Sequence, residues 1–158
     1  MASSESSAGS AADPAGPVIL AYDGSELARL AIEDAARQVT RGRDALVVCV
    51  WQTDDVGFVP TGVQHFDAAE ATEVRSAAEQ TAAHGASLAE KAGFRPQSIA
   101  IQAAPTWKGI VGVAEEHSAS LIVLGSHRRS GIAGHLLGSV ASAVVAHSKS
   151  SVLITRTG

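Results

Sequence analysis

The chain has 158 residues, a length typical of one domain built around one hydrophobic core. Hydrophobic residues make up 46% and aromatic residues only 4%, which predicts a core of Ala, Val, Ile and Leu and excludes one built on large rings. The formal net charge of −4 argues against the basic surface that partners such as nucleic acid or an anionic membrane would require.

The first residues favour neither regular structure nor export. Residues 1–16 are largely Ser, Ala, Gly and Pro, and such a segment buries too little apolar surface to offset the entropy of ordering it. We therefore expect a disordered tail over residues 1–16 and a single domain over residues 17–158. A secretory signal needs a basic flank and an apolar region, which this segment lacks, and no run reaches the ~18 apolar residues that span a bilayer. These features predict a cytoplasmic protein.

The first predicted elements are a strand, a turn and a helix. The apolar run VILAY (18–22) is broken by Asp-Gly-Ser, which predicts a turn directly after the strand. Ser25 is the expected N-cap of the helix that follows. The apolar residues at helical spacing are Leu27, Ala31, Ala35 and Val39.

The run ALVVCVW (45–51) predicts the next strand. It is continuously apolar and rich in valine, as is typical of a parallel strand that is covered on both faces. It contains Cys49, the only cysteine, so neither a disulfide framework nor a thiolate metal site is available. We expect Cys49 to be a small core residue.

A long helix, a strand and a shorter helix are predicted next. The Ala- and Glu-rich segment from about Asp67 to Lys91 predicts the long helix, which Ala92-Gly93 ends. The run SIAIQAA (98–104) alternates like a strand, and Pro105 prevents further pairing. The expected core-facing residues are Val74, Ala78, Thr81, Gly85 and Leu88 in the long helix and Ile110, Val111 and Ala114 in the shorter one.

The last third of the chain repeats the pattern. SLIVLG (120–125) predicts a strand, a glycine-rich loop follows, and SVLIT (151–155) predicts the final strand. Strands that alternate with helices predict an α/β fold, a parallel sheet with helices on both faces, whose ligands bind beyond the carboxyl ends of the strands. The expected apolar stripe of the last helix is Leu136, Leu137, Val140, Ala141, Val144 and Val145.

The glycine-rich loop indicates an anion site. Its glycines at 125, 131, 134 and 138 have the spacing of neither the dinucleotide fingerprint nor the Walker A motif, which also needs a lysine where Ser139 stands. What remains is a loop that ends at a helix start, where N–H groups and the positive end of the helix dipole attract an anion. The alternative is that these glycines only turn the chain from strand to helix.

Two stretches resemble the signature regions of the universal stress protein family, namely VILAYDGSELARLAIEDAA (18–36) and ASLIVLGSHRRSGIAGHLLGSVASAVVAHSKSSVLI (119–154). The likeness in element order extends from about Val18 to Arg156. It implies a Rossmann-like, adenine-nucleotide α-hydrolase-like fold, an open sheet of five parallel strands in the order 3-2-1-4-5. It also implies a homodimer that pairs through the last strand, Ser151–Arg156.

The resemblance further implies an adenine-nucleotide site. Family members that bind ATP carry G-x-x-G, nine residues and then G-S/T, and this chain carries Gly125, Arg128 and Gly138-Ser139 at those positions. ATP, AMP or cyclic AMP is the implied ligand, with Mg²⁺ held by the phosphates. By resemblance Asp23 faces the ribose or the metal and the backbone near Val50 meets the adenine. The residues implied around the phosphates are Gly125, Gly138, Ser139 and Val140, and Ala21, Tyr22 and Arg128 complete the site.

Arg128, in place of the family's second glycine, leaves two alternatives. If phosphate must approach a bare backbone there, the side chain excludes the nucleotide. If the backbone keeps its course, the guanidinium can donate charge-assisted hydrogen bonds to phosphate oxygens. The resemblance implies as its main function an ATP-binding stress-response sensor, with slow hydrolysis at most because no base is evident. The rival is a nucleotide-free, dimeric interaction protein of the same family.

Other polar residues predict no further chemistry. His127, His135 and His147 have spacings that fit no single helical face, so a metal site is not expected. Ser25, Ser126 and Ser130, which lie near the two loops, lack the His and Asp partners of a nucleophile arrangement. Trp51 follows the strand on the adenine side, where its ring can either cover the sheet edge or stack on a base.

Overall fold

The computed structural model describes residues 15–53, 68–126 and 137–156, and strands alternate with helices throughout these ranges. The strands are β1 (Val18–Ala21), β2 (Asp44–Trp51), β3 (Arg95–Gln102), β4 (Leu121–Ser126) and β5 (Ser151–Arg156). The helices are α1 (Glu26–Gln38), α2 (Ala68–Ala92), α3 (Thr106–Glu116) and α4 (Ser139–His147). The predicted α/β fold class is confirmed.

The five strands form one sheet in the order β3-β2-β1-β4-β5, and every neighbouring pair is parallel. This confirms the strand order that the resemblance implied. Because all strands run in one direction, their carboxyl ends lie along a single edge of the sheet. The chain moves outward from β1 to β3 on one side and from β4 to β5 on the other, so the order reverses between β1 and β4.

The helices cover both faces of the sheet. The core on one face joins β1 to α1 and α2, and the core on the other joins β1 to α3 and α4. Alternation along β1 explains the division, since Val18 and Leu20 point to the first face and Ile19 to the second, and all three are 0% exposed. Continuous apolarity in a strand therefore marks burial on both faces, as predicted.

Helix α1 begins as the sequence predicts. The Ser25 side chain accepts a hydrogen bond from the Ala28 amide at 3.1 Å, which satisfies one of the N–H groups left unpaired at a helix start. The helix ends at Gln38, and Val39 is its C-cap, with its N–H donated to the Ala35 carbonyl.

The expected stripe of α2 is displaced by part of a turn. Ala78 and Gly85 are buried as expected, but Ala82 and Ala89 complete the buried stripe, while Val74 is 39% exposed. Gly85 explains the displacement, because a Cβ atom there would lie 2.6 Å from the Tyr22 ring. The helix thus packs closely on the sheet at a glycine that the helical spacing had placed on the core-facing stripe.

Strand β3 begins at Arg95, three residues before the expected start at Ser98. Its first residues are polar or proline, so the alternation did not mark them as strand. They pair nevertheless because β3 is an edge strand, where Pro96 is tolerated. The Arg95 side chain also forms an ion pair with Asp44, the residue opposite it in β2, at 3.0 Å.

Helix α4 begins at Ser139, later than the expected apolar stripe. Ala141 and Val144 are buried, but Val145 is 49% exposed, and Leu136 lies outside the described residues.

Among the helices in the described ranges, none is both long enough and apolar enough to cross a membrane.

Candidate functional site

A cleft of about 350 Å³ opens at the carboxyl ends of β1 and β4, where the strand order reverses. Parallel α/β sheets bind ligands at such a position because the loops on either side diverge there and leave space. The residues that line it are Ala21, Tyr22, Asp23, Ser25, Leu27, Ala28, Val48, Val50, Thr106, Ile110, Leu124, Gly125, Ser126, Gly138, Ser139, Val140 and Ala141.

One side of the cleft is the turn from β1 into α1. Asp23 is exposed, and its Oδ1 accepts a hydrogen bond from the Ser25 amide at 2.9 Å. Ser25 in turn caps α1, so the turn is held by two consecutive side-chain to backbone bonds. These bonds fix the position of Asp23. It is the only carboxylate among the described residues of the cleft.

The opposite side is the start of α4. Gly138 is the N-cap, and no side chain caps this end of the helix among the described residues. The Gly138 N–H is donated to Ser126 Oγ at 2.8 Å, and the Gly138 carbonyl accepts from Ser142 N at 2.9 Å. The amides of the first turn, from Ser139 onward, therefore carry the partial positive charge of the helix end toward the cleft.

Gly125 closes the floor between these two sides. A Cβ atom at this position would lie 2.6 Å from Leu27 Cγ and 3.1 Å from the Leu27 carbonyl oxygen. The glycine is thus required by the packing of α1 on β4, a reason independent of any ligand. The sequence predicted a role for Gly125 in a flexible loop, but the close packing on Leu27 is the reason that this position is a glycine.

The backbone of Val50 faces the cleft. The Tyr22 N–H donates to the Val48 carbonyl at 2.9 Å, and the Ala103 N–H donates to the Trp51 carbonyl at 3.2 Å. Alternate residues of a strand direct their N–H and C=O groups to the same side, so Val50 directs both toward β1, like Val48. Because β1 has ended at this level, these two groups lie beyond its last hydrogen bond to β2.

Burial dominates the chemistry of the neighbouring groups. Tyr22 is 3% exposed, and its hydroxyl is hydrogen-bonded to His84 Nδ1 at 2.9 Å. Burial, and secondarily the charge of Asp23, raises the pKa of the Tyr22 phenol, so it stays protonated at neutral pH. Burial likewise raises the pKa of the Cys49 thiol, and its burial agrees with the prediction of a small core residue.

The structure brings most of the sequence-predicted residues together, although their contact with a ligand stays a prediction. Arg128 lies outside the described residues, as do His127 and His135. The predicted residues that line the cleft are Ala21, Tyr22, Asp23, Val50, Gly125, Gly138, Ser139 and Val140.

Two residues singled out earlier lie elsewhere. Trp51 lines a separate groove with Arg75 and Gln102, on the far side of β2 from Val50. His147 stacks on Trp107, with ring centroids 4.1 Å apart. In the part of the chain that the structure describes, no group of three or more His, Cys, Asp or Glu side chains could hold a metal ion.

Sequence reasoning left three polar side chains of the cleft out of the predicted site, namely Ser25, Ser126 and Thr106. Ser126 is 4% exposed and bridges the end of β4 to the start of α4, and Thr106 is the first residue of α3. Ser126 is the last residue of β4 and directly follows Gly125 of the predicted loop, which is a signal; Thr106 directly follows Pro105, and no local pattern shows that this helix start borders the cleft.

Comparison with known proteins gives a consistent assignment of the fold. Residues 15–156 match the model of the universal stress protein family. A universal stress protein from Mycolicibacterium smegmatis is 32% identical over 141 residues, which cover 89% of this chain and 45% of that protein. The chain thus spans about half the length of the curated relative that it matches.

Two solved structures have the same fold. The structure of the hypothetical protein MJ0577 has a TM-score of 0.73 at 22% identity and covers 91% of this chain and 97% of its own. A universal stress protein crystallised in complex with cAMP has a TM-score of 0.61 at 25% identity and covers 91% of this chain and 99% of its own.

Proposed function

The chain belongs to the universal stress protein family, and from this premise we propose that it is a sensor that binds an adenine nucleotide, ATP with Mg²⁺, in the cleft between β1 and β4. The observation that carries the proposal is the placement of Asp23 and the start of α4, which no described side chain caps, on opposite sides of one cleft, with the Val50 backbone groups facing it beyond the end of β1. The cAMP complex of a related universal stress protein supports adenine as the base.

The base would lie against β2 and α3. The side chains there are apolar, chiefly Val48, Val50 and Ile110, and they offer a surface that a flat aromatic ring can cover. The Val50 N–H can donate to a ring nitrogen of adenine while its carbonyl accepts from the exocyclic amino group. Guanine in the same orientation would place a carbonyl and an N–H where these groups need the reverse, so adenine would be preferred.

The phosphates would lie at the start of α4. Its first-turn amides, beginning at Ser139, and the Ser139 hydroxyl can donate to phosphate oxygens, and the helix dipole adds to the attraction. In this proposal Arg128 binds the phosphates rather than excluding them, because a guanidinium donates charge-assisted hydrogen bonds that suit phosphate oxygens.

The described residues fit a magnesium ion only as part of a nucleotide complex. Asp23 is the single carboxylate among the described residues that line the cleft, and Mg²⁺ is usually held by one or two carboxylates together with phosphate oxygens and water. Asp23 would therefore contact the metal only when the phosphates are present. When bound, the ion would neutralise phosphate charge, and the sensor would respond to the metal complex rather than to the metal alone.

We further propose that the protein acts as a homodimer. Strand β5 lies at the edge of the sheet, and its inner residues are only half-buried by the described part of the chain. Pairing of two β5 edges across a twofold axis would satisfy the backbone groups that an edge strand leaves open. Sedimentation equilibrium that gave the monomer mass at every loading concentration would contradict this part of the proposal.

Nucleotide retention and thermal stability test the main proposal. The protein is purified, any bound small molecule is released by denaturation and identified by chromatography, and melting curves are recorded with and without ATP and Mg²⁺. A ligand at 100 times its dissociation constant adds about 2.7 kcal/mol to the free energy of unfolding. For a domain of this size, we expect a rise in Tm of about 5–10 °C.

A matched pair of variants localises the effect. Asp23→Asn keeps an oxygen for the Ser25 amide but removes the charge. It should therefore reduce the further rise in the Tm of the protein when Mg²⁺ is added to ATP. Asp44→Asn removes a partly buried carboxylate at the start of β2, away from the cleft, and should leave that rise unchanged. No retained nucleotide and no Tm shift in the wild type would favour the rival, a nucleotide-free interaction protein.

A further inference from the structure

The wall of the cleft formed by β2 and α3 contains one side-chain hydroxyl that the sequence did not indicate. Thr106 is the first residue of α3 and lines the cleft with Val50 and Ile110. The helix lies close to the strand here, because a Cβ atom on Gly109 would be 3.1 Å from Val50 Cγ2. Thr106 therefore brings a polar atom to a wall whose other side chains from β2 and α3 are apolar.

A neighbouring amide holds this hydroxyl. Gln52 directly follows β2, and its side chain shares the face of Val50 because residues two apart along an extended chain point the same way. Its Nε2 donates a hydrogen bond to Thr106 Oγ1 at 3.0 Å, and both residues are half-buried. Among the described residues this is the only hydrogen bond that the Thr106 side chain makes.

The bond leaves the hydroxyl able to bind a ligand. A threonine hydroxyl has one O–H donor and two acceptor lone pairs, and Gln52 uses one lone pair. The O–H and the second lone pair remain, and the hydrogen bond from Gln52 limits how the hydroxyl is oriented. Such a group can serve either the acceptor nitrogens or the amino protons along the edge of a purine.

We infer that Thr106, positioned by Gln52, is a hydrogen-bonding contact for the polar edge of the nucleotide base. The inference rests on the proposed nucleotide site. The Val50 backbone groups pair with part of the base edge, but a further polar atom of the base pressed against the apolar side chains would lose its hydrogen bond to water, and this hydroxyl supplies the replacement. Thr106 contacts the base, whereas Gln52 acts through Thr106 and is a positioning residue.

Isosteric substitution tests the contact. Thr106→Val replaces the hydroxyl with a methyl group of similar size, and we expect it to weaken ATP binding about fivefold to tenfold in calorimetric titrations. Inorganic tripolyphosphate, which has phosphates but no base, serves as the second probe in competition titrations. Its affinity should be unchanged, since Thr106 is not at the phosphate end. Thr106→Ser keeps the hydroxyl and should retain most of the ATP affinity.

A matched pair tests the positioning role. Gln52→Leu removes the donor to Thr106 and should weaken ATP binding by about twofold to threefold. Gln102→Leu removes the same kind of side chain from the end of β3, where its amide is 3.5 Å from Thr53 Oγ1 and outside the cleft, and should have no effect.

The outcomes separate the two proposals. If the wild type binds no ATP, the proposed function fails and this inference fails with it. If the wild type binds ATP and Thr106→Val binds it equally well, only the inference fails. Equal losses of ATP and tripolyphosphate affinity would also overturn it, because they would reflect a distorted cleft rather than a lost base contact.

Discussion

Gly125 of β4 and Leu27 of α1 are in such close contact that a Cβ atom on the glycine would lie 2.6 Å from the leucine Cγ. Overpacking of this kind forces side chains off their rotamers or shifts the backbone. We expect Gly125→Ala to lower the free energy of unfolding by about 1–3 kcal/mol. Denaturant unfolding followed by circular dichroism measures it, in the absence of any nucleotide.

A second glycine provides the control for this variant. Gly112 lies on the exposed side of α3, and a Cβ atom there meets nothing within 4 Å. Gly112→Ala should be neutral or stabilising by up to about 1 kcal/mol, because alanine is the better helix former. A Gly125→Ala variant as stable as Gly112→Ala would show that α1 does not pack on β4 as described.

The fold was largely predictable from the sequence because its strongest signals are local. Continuous apolar strands such as 45–51 and a capping serine such as Ser25 act through their immediate neighbours, and the structure has both where expected. The features that local patterns did not indicate depend on distant contacts. Ala82 and Ala89 complete the buried stripe of α2 because the helix packs on Tyr22 at Gly85, and β3 extends to Arg95, which pairs with Asp44.

The residues of the candidate site also divide into those that local patterns predict and those that depend on distant contacts. The loops at the carboxyl ends of the first and fourth strands follow from strand order, and with them residues such as Asp23 and Ser139. Thr106 comes from the start of α3, and no local pattern shows that this helix end borders the cleft. Ser126 was weighed only as a nucleophile, because its bond to Gly138, twelve residues away, exists only in the folded chain.

Ser126 should stabilise the start of α4. Its Oγ accepts the Gly138 N–H at 2.8 Å, and the residue is 4% exposed. Ser126→Ala leaves that N–H without its partner, so we expect a loss of about 1–3 kcal/mol in the free energy of unfolding and weaker ATP binding. Ser142→Ala is the control, since Ser142 is exposed and donates to the Leu137 carbonyl at 3.3 Å. Equal stability of the two variants would contradict the bridge between β4 and α4.

Arg128 gives a prediction with a defined direction. If its guanidinium binds phosphate, Arg128→Gly should weaken ATP binding about tenfold or more, because a hydrogen bond to a charged group contributes about 1.5–3 kcal/mol. Titration calorimetry at two salt concentrations should show a smaller salt dependence for the variant. Tighter binding by Arg128→Gly would instead show that the side chain obstructs the phosphates, and unchanged binding would reject both accounts.

Asp34 should make the stability of the β5 edge depend on pH. Thr155 of β5 donates to Asp34 Oδ2 of α1 at 2.8 Å, and this bond is the main reason that the pKa of Asp34 lies below its usual 3.8. Hydrogen bonds from Gln38 and Arg37 act in the same direction, and only burial opposes them. A depressed pKa in the folded state means that the unfolded chain binds its proton first as the pH falls. The stabilisation is therefore complete above the unfolded pKa and is lost as the pH falls through the folded one.

Thr155→Val tests this dependence, because it removes the donor and keeps the shape of the side chain. We expect it to cost about 1 kcal/mol in the free energy of unfolding at neutral pH, and less once acid has protonated Asp34. Thr81→Val is the control, since the Thr81 hydroxyl donates to the Ala77 carbonyl, at 2.9 Å, and not to a carboxylate. Its effect should not vary with pH. Urea unfolding from neutral to acidic pH measures both variants, and a cost for Thr155→Val that stays constant over that range would show that its hydroxyl does not stabilise the ionised form of Asp34.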